Sequence, residues 1–201
     1  MNLAYLVDDD DAMRDALIWL LRSRGVEARA WDCAEAFLDD YDPQRGGCLV
    51  LDIRMKAMTG LELFERLRAC GCLMPVIFLT GHGDVPQAVQ ALKNGAFDFL
   101  EKPFDDNELA DRVIEALRRD AERRIRGRQS GVVHERLHSL TSREREIMRA
   151  ILAGKMNKVI ADELNIAMRT VEVHRAHVFE KMGVKSAVEL ATLLADYGVE
   201  G

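Results

Sequence analysis

An α/β domain built on a five-stranded parallel sheet covered on both faces, followed by a small all-α helix-turn-helix domain, is predicted by three observations. Short apolar runs alternate with segments of helical period over the first 120 residues. The charge balance changes abruptly beyond them, and the last 65 or so residues show helical period alone, punctuated by capping signals. A chain of 201 residues is long enough for two domains of ordinary size.

The apolar runs are Leu3 to Val7, a weaker one from Val26 to Trp31, Cys48 to Leu51, Val76 to Leu79 and Phe97 to Leu100, each of strand length. Between them Met13, Leu17, Leu20 and Leu21, then Leu61, Phe64 and Leu67, then Val85, Val89 and Leu92 recur at helical spacing. Five strands alternating with five helices predict a doubly wound sheet.

From Arg118 to Gly131 the apolar period fades and Gly and Ser enter, so residues 121–137 read as a linker, in the form of a helical extension. Lys and Arg number 14 against 23 Asp and Glu in residues 1–120, 4 against 1 in 121–133, and 10 against 10 in 134–201. The linker arginines read either as a solvated helix face or as contacts to a phosphate backbone.

In the last part, Thr141-Ser142-Arg143-Glu144 is a capping box followed by Ile147, Ile151 and Leu152 at helical spacing and stopped by Gly154. A short helix is predicted over Lys158–Leu164, a turn at Asn165, a third helix over Thr170–Met182 ending at Gly183, and a fourth from Ser186 to about Tyr197. Rotating the third helix at about 100° per residue puts Val171, Val178 and Met182 inward. Arg169, Val173, Ala176 and Glu180 then lie outward, flanked by Glu172 and His177. The outward Val and Ala fit either an ordinary surface or approach to thymine methyl groups in a major groove.

Several function classes are excluded or made remote. No apolar run approaches the ~20 residues that span a bilayer. The first residues meet four consecutive acids with no basic region before them, so the chain is expected in the cytoplasm. Cys33, Cys48, Cys70 and Cys72 have neither disulfide-framework nor zinc-site spacing and are expected as reduced thiols; Cys70-Gly71-Cys72 is a close pair that recurs by chance. A net charge of −6 argues against indiscriminate nucleic-acid binding but permits a small basic reading head.

The functional crevice of a parallel doubly wound sheet lies outside the carboxyl ends of its strands. There the sequence places Asp8-Asp9-Asp10-Asp11, Asp52, Thr80-Gly81 and Glu101-Lys102-Pro103. Crowded carboxylates repel and call for a cation, and hard oxygen ligands with room for water suit Mg²⁺. Such a cation beside one carboxylate, with an ammonium and a hydroxyl opposite, makes a clamp for phosphoryl oxygens, with Asp52 as nucleophile. Taken singly, the acidic run could merely cap the first helix and Lys102 could pair with a surface acid.

Residues 1–120 resemble the receiver domain of two-component response regulators. The motifs are Val7-Asp8-Asp9-Asp10, Leu51-Asp52-Ile53-Arg54-Met55, Leu79-Thr80-Gly81-His82-Gly83-Asp84-Val85 and Phe97-Asp98-Phe99-Leu100-Glu101-Lys102-Pro103-Phe104. The resemblance implies a flavodoxin-like strand order and Asp52 as phosphoacceptor. It implies Mg²⁺ on Asp8, Asp9, Asp52 and the Arg54 carbonyl, and Thr80 and Lys102 as phosphoryl contacts. It also implies Phe99 as the aromatic that follows Thr80 in the switch, and a cis Lys102-Pro103 bond. Lys56 stands where that family commonly has proline. His82-Gly83-Asp84-Val85 is closest to the FixJ and StyR-like branch, in which activated receivers pair through the fourth helix and fifth strand. Val89 and Lys93 would lie on that face, with simple core packing the competing reading for Val89.

Residues 138–201 resemble a LuxR-type DNA-binding domain through Leu140-Thr141-Ser142-Arg143-Glu144, Asn157-Lys158-Val159-Ile160-Ala161, Arg169-Thr170-Val171-Glu172-Val173-His174-Arg175 and Lys181-Met182-Gly183-Val184. By that resemblance Asn157 and Lys158 touch phosphates, and Arg169, Thr170, Glu172, Val173 and Ala176 form the recognition surface. Arg175 would make either a phosphate contact or an internal pair. Ala167 replaces the serine that commonly caps the recognition helix, at a cost of about 1 kcal/mol.

The combined resemblance implies a transcription regulator of the FixJ and NarL class, phosphorylated by a sensor histidine kinase. It would bind promoter DNA as a homodimer formed on phosphorylation, with RNA polymerase as a further partner, and would not be an enzyme. One alternative is a haloacid-dehalogenase-like phosphatase, which needs a second acid two positions after its nucleophile, where this chain has Arg54. A DNA-binding module that signals without phosphate is the other, and it would have no use for Lys102 and Thr80.

Overall fold

The computed structural model of the protein describes residues 3–81 and 85–197. In chain order these form β1 (Leu3–Val7), α1 (Asp11–Ser23), β2 (Glu27–Trp31), α2 (Ala34–Asp40), β3 (Cys48–Asp52), α3 (Gly60–Ala69), β4 (Val76–Thr80), α4 (Val85–Lys93) and β5 (Asp98–Glu101). Then follow α5 (Asp106–His138), α6 (Ser142–Leu152), α7 (Asn157–Leu164), α8 (Met168–Met182) and α9 (Ala187–Asp196). The chain divides into two compact units, Met1–Arg124 and Ile125–Gly201. Among the described residues no helix is long and apolar enough to cross a membrane.

In the first unit the sheet is parallel with order β2-β1-β3-β4-β5. Successive side chains on a strand face opposite ways, so each central strand feeds two cores. Tyr5, Val7, Leu49, Leu51, Val76 and Phe78 meet Phe37 of α2, Leu63 and Phe64 of α3, and Ala88 and Ala91 of α4. Ala4, Leu6, Val50, Ile77 and Leu79 meet Leu17 and Leu21 of α1 and Leu109 and Val113 of α5. The strands expected at Val26–Trp31 and Phe97–Leu100 are the two edges, β2 and β5.

Helix α5 runs unbroken through the residues expected to link the two parts. Asp120, 4% exposed, accepts a hydrogen bond from the Gly47 N–H at 3.0 Å and pairs with Arg123; the Arg124 guanidinium donates to the Gln44 carbonyl. A Cβ on Gly46 would come within 2.8 Å of the Asp120 carboxylate and the Arg124 side chain. The loop before β3 thus grips α5 through a backbone surface that only glycine leaves open.

The second unit is a helical cluster around Ile147, Ile151, Ile160, Val171, Val178, Met182 and Leu190. Val133 of α5 is buried among them, with Leu137 packed alongside, so the far end of α5 belongs to this core rather than to a purely solvated connection. The capping box forms in full: Thr141 Oγ1 accepts from the Glu144 N–H, and Glu144 accepts from the Thr141 N–H. Asn165 takes the left-handed conformation that turns α7 into α8, and Gly183 does the same after α8. Helix α8 starts two residues earlier than the Thr170 expected, at Met168. Its Ncap is Ala167, which offers no side-chain acceptor.

Candidate functional site

A parallel sheet brings all its strand ends to one edge, and register fixes their relative heights. Asp52 lies opposite Leu79, and Thr80 opposite Glu101. The Lys102 N–H donates to the Thr80 carbonyl at 2.7 Å, and the Asp8 N–H donates to Trp31 at 3.3 Å. These bonds carry the ladder one residue past the strands, so Asp8 and Lys102 are held as firmly as strand residues.

The side chains converge. Lys102 Nζ donates to Asp52 Oδ1 at 2.7 Å and to Asp8 Oδ2 at 2.9 Å. Asp8, Asp9 and Asp52 bring one oxygen each within 4.8 Å of one another. Asp8 is 2% exposed and Asp52 8%. The acidic run divides its labour: Asp10 caps α1 by accepting from the Ala12 and Met13 N–H groups, which leaves Asp8 and Asp9 to face Asp52. Asp8 Oδ1 also accepts from the Asp10 N–H, fixing its carboxyl plane.

Burial holds the Asp52 carboxyl above its ordinary pKa, and Asp8 pushes the same way, while Lys102 and the Arg54 backbone N–H pull it down. Burial lowers the Lys102 ammonium, but hydrogen bonds to Asp52 and Asp8 outweigh it and raise the pKa. A protonated Lys102 is therefore the counter-charge that lets two carboxylates share a nearly buried corner. Gly60 makes the corner sterically accessible. Its N–H donates to the Ile53 carbonyl, and a Cβ there would fall 2.1 Å from the Asp52 carbonyl oxygen, so the β3–α3 loop folds back over Asp52 only with glycine.

The remaining expected residues are placed as follows. Thr80 is fully buried at the end of β4, and its hydroxyl donates to the Gly81 carbonyl at 3.1 Å, not to Asp52. Phe99 on β5 is half-buried against the α4 side of the sheet. Arg54 is exposed. The Lys102-Pro103 bond is cis. Val89 is 39% exposed and Lys93 exposed, while Ala88 and Ala91 supply the buried side of α4. The motif residues His82, Gly83 and Asp84 lie outside the described residues. All four cysteines are free. Sequence reasoning missed Arg14, whose guanidinium donates to the Asp8 carbonyl at 2.6 Å, and the pairing of Lys56 with Asp9 at 3.7 Å.

In the helical unit Lys158, Arg169, Thr170, Val173 and Ala176 are exposed, and Asn157 and Glu172 half-buried. Arg169 pairs with Glu172 at 3.3 Å. Arg175 lays its guanidinium over the Phe179 ring, 5.5 Å from the centroid. Glu144 is 4% exposed and receives Lys181 Nζ at 2.7 Å, tying α6 to α8.

The receiver pattern described as "Response regulator receiver domain" matches residues 4–114, and that described as "Bacterial regulatory proteins, luxR family" matches 138–194. The chain is 46% identical over 191 residues to the C4-dicarboxylate transport transcriptional regulatory protein DctR of Rhodobacter capsulatus, covering 94% of this chain and 97% of DctR. It is 46% identical over 198 residues to the transcriptional regulatory protein FixJ of Azorhizobium caulinodans, covering 97% and 92%. Among solved structures it is similar to the response regulator StyR, with a TM-score of 0.91 at 42% identity over 98% of this chain and 99% of that one. Full-length FixJ from B. japonicum is also similar, with a TM-score of 0.62 at 42% identity over 100% and 98%. An acid triad with two buried members and its lysine at the strand ends, a turn-linked helix pair beyond, and relatives matched from end to end agree: the chain belongs to the two-component response regulators that join a receiver domain to a LuxR-type DNA-binding domain.

Proposed function

We propose that the chain takes a phosphoryl group from a sensor histidine kinase onto Asp52 and, so modified, binds promoter DNA as a homodimer and engages RNA polymerase. Residues 1–120 act as the receiver, 121–137 as the helical connection and 138–201 as the DNA-binding part. The observation that carries the reading is the bridging of Asp52 and Asp8 by Lys102 at 2.7 and 2.9 Å, beside Asp9, at the edge where phosphate chemistry is expected.

Three carboxylates within 4.8 Å are a hard oxygen set that fits Mg²⁺, with Asp8, Asp9, Asp52 and the Arg54 carbonyl as its holders. Bound there, the cation would neutralise oxygens of the incoming phosphoryl group. An Asp52 oxygen attacks phosphorus, a new O–P bond forms, the P–N bond to the donor imidazole breaks, and the imidazole nitrogen takes up a proton. Lys102, already charged, exchanges a carboxylate partner for a phosphoryl oxygen. The Thr80 hydroxyl leaves the Gly81 carbonyl for the same group, and Phe99, only half-buried, follows into the space. The α4 and β5 surface with Val89 and Lys93 then changes shape and pairs with a second copy.

In the helical unit, Asn157, Lys158 and Arg175 contact phosphates, and Arg169, Thr170, Glu172, Val173 and Ala176 meet base edges. The relatives named as transcriptional regulators support this reading over a phosphatase, as does Arg54, which offers no acid to a leaving group.

The test is Asp52→Asn with a labelled phosphodonor. Wild type gains acid-stable, base-labile label and the variant none; undiminished labelling of the variant refutes the assignment.

A further inference from the structure

Lys56 sits in the loop between β3 and α3 with its side chain 88% exposed, yet its ammonium lies 3.7 Å from Asp9 Oδ2. Asp9 is the carboxylate of the triad that Lys102 does not bond. Two lysines therefore divide the acidic cluster. Lys102 is half-buried and fixed to Asp8 and Asp52 by short hydrogen bonds; Lys56 is exposed and pairs at longer range with the remaining acid. With both, the group carries one negative charge in excess; with Lys102 alone it would carry two.

We propose that Lys56 is a tethered competitor for the divalent-cation site, weakening cation binding through its charge on Asp9. The inference rests on the reading that Asp8, Asp9 and Asp52 hold Mg²⁺. A cation taken up by Asp9 must break the Lys56 pair and then tolerate an ammonium that its backbone tether keeps close. Both effects are Coulombic and solvent-exposed, so they are modest and fade as salt shortens the screening length. Because Lys56 lowers the net attraction for Mg²⁺, its presence also makes cation binding less sensitive to ionic strength.

The test uses the full-length chain and follows free Mn²⁺ by its electron paramagnetic resonance signal, with Mg²⁺ as competitor, for wild type, Lys56→Gln, Lys56→Arg and Asp9→Asn. In about 20 mM salt Lys56→Gln binds both cations about threefold more tightly than wild type, and the gap closes at about 0.5 M salt. Lys56→Arg, which keeps the charge, behaves as wild type. Equal affinities of wild type and Lys56→Gln at low salt overturn the inference. A gap that persists unchanged at high salt also overturns it, because loop geometry rather than charge would then be responsible. If wild type and Asp9→Asn bind alike or not at all, the cation site itself is wrong and the inference falls with it. The exposed position of Lys56 leaves folding unaffected, and the readout needs no phosphodonor.

Discussion

Removing the Glu144 carboxylate is a sharp perturbation of the helical unit, because one buried group there performs two tasks. It closes the capping box by accepting from the Thr141 N–H at 2.8 Å and the Thr141 hydroxyl at 3.0 Å. It also receives the Lys181 ammonium at 2.7 Å across from α8. Loss of the cap costs about 1 kcal/mol and loss of a charge-assisted bond about 1.5 to 2, so Glu144→Ala destabilises the unit by about 2.5 to 3 kcal/mol. Glu144→Gln keeps an acceptor for the cap and loses only the ionic part, about 1 kcal/mol. Hydrogen exchange read by mass spectrometry on the full chain localises the effect. Peptides from α6 and α8 exchange about 70- to 160-fold faster in the Ala variant, since every 1.36 kcal/mol is tenfold, while receiver peptides stay unchanged. Acceleration below about threefold would refute the reasoning.

The same carboxyl sets an acid limit. Hydrogen bonds from Lys181 and the Thr141 N–H lower its pKa from an ordinary 4.5 to about 2, with burial opposing. A depressed carboxyl stabilises the fold above its unfolded pKa and loses that contribution as pH falls through the folded value. Wild type therefore loses protection in α6 and α8 between about pH 4.5 and 2, and Glu144→Gln shows a flatter profile over that window.

Three further outcomes are expected. Ala167→Ser supplies the missing cap of α8 and raises stability by about 1 kcal/mol in urea denaturation of the full chain; no gain would mean the Ncap geometry is already satisfied elsewhere. Gly60→Ala, whose methyl would lie 2.1 Å from the Asp52 carbonyl, costs about 2 kcal/mol or more and slows labelling of Asp52; a variant of unchanged stability and rate would contradict the close approach. Asp120→Ala leaves the Gly47 N–H without its acceptor and costs about 1 to 3 kcal/mol, while Asp120→Asn, which retains an acceptor oxygen, loses less; equal losses in the two would place the effect in charge instead.

The strands were legible in proportion to their burial. β1, β3 and β4 are central and covered on both faces, so they read as continuous apolar runs. β2 and β5 are edges with exposed positions such as Glu27 and Glu101, which is why the run ending at Trp31 is the weaker signal. The convergence of Asp8, Asp52, Thr80 and Lys102 on one edge follows from parallel topology alone. The inward face of α8 was readable from its period, since Val171, Val178 and Met182 are all fully buried.

What stayed hidden depended on distant partners. Residues 121–137, read from the sequence as a helical extension, lie within α5 despite Gly127 and Gly131; what local sequence does not reveal is that Asp120 is anchored on one side of those glycines and Val133 on the other. Nothing local to Asp120 announces Gly47, 73 residues earlier in the chain. Glu144 looked like a helix cap and is one, but its bond to Lys181 spans 37 residues. Lys56 was visible only as a departure from the proline that similar receivers carry, and its contact with Asp9 needed the folded loop.

The grip of the Gly46-Gly47 backbone on α5 determines where this polypeptide can be cut. The receiver pattern ends at residue 114, but a fragment stopped there would lack Asp120 and Arg124, leaving the buried Gly47 amide with no acceptor. A recombinant amino-terminal half should extend through Arg124. A carboxyl-terminal half begun at 138 would in turn forfeit Val133 from its interior and the Arg136 guanidinium that bonds the Met182 carbonyl at the end of α8. One helix therefore supplies interior residues to both halves, and scission near Ile125 is the place that leaves each with its own.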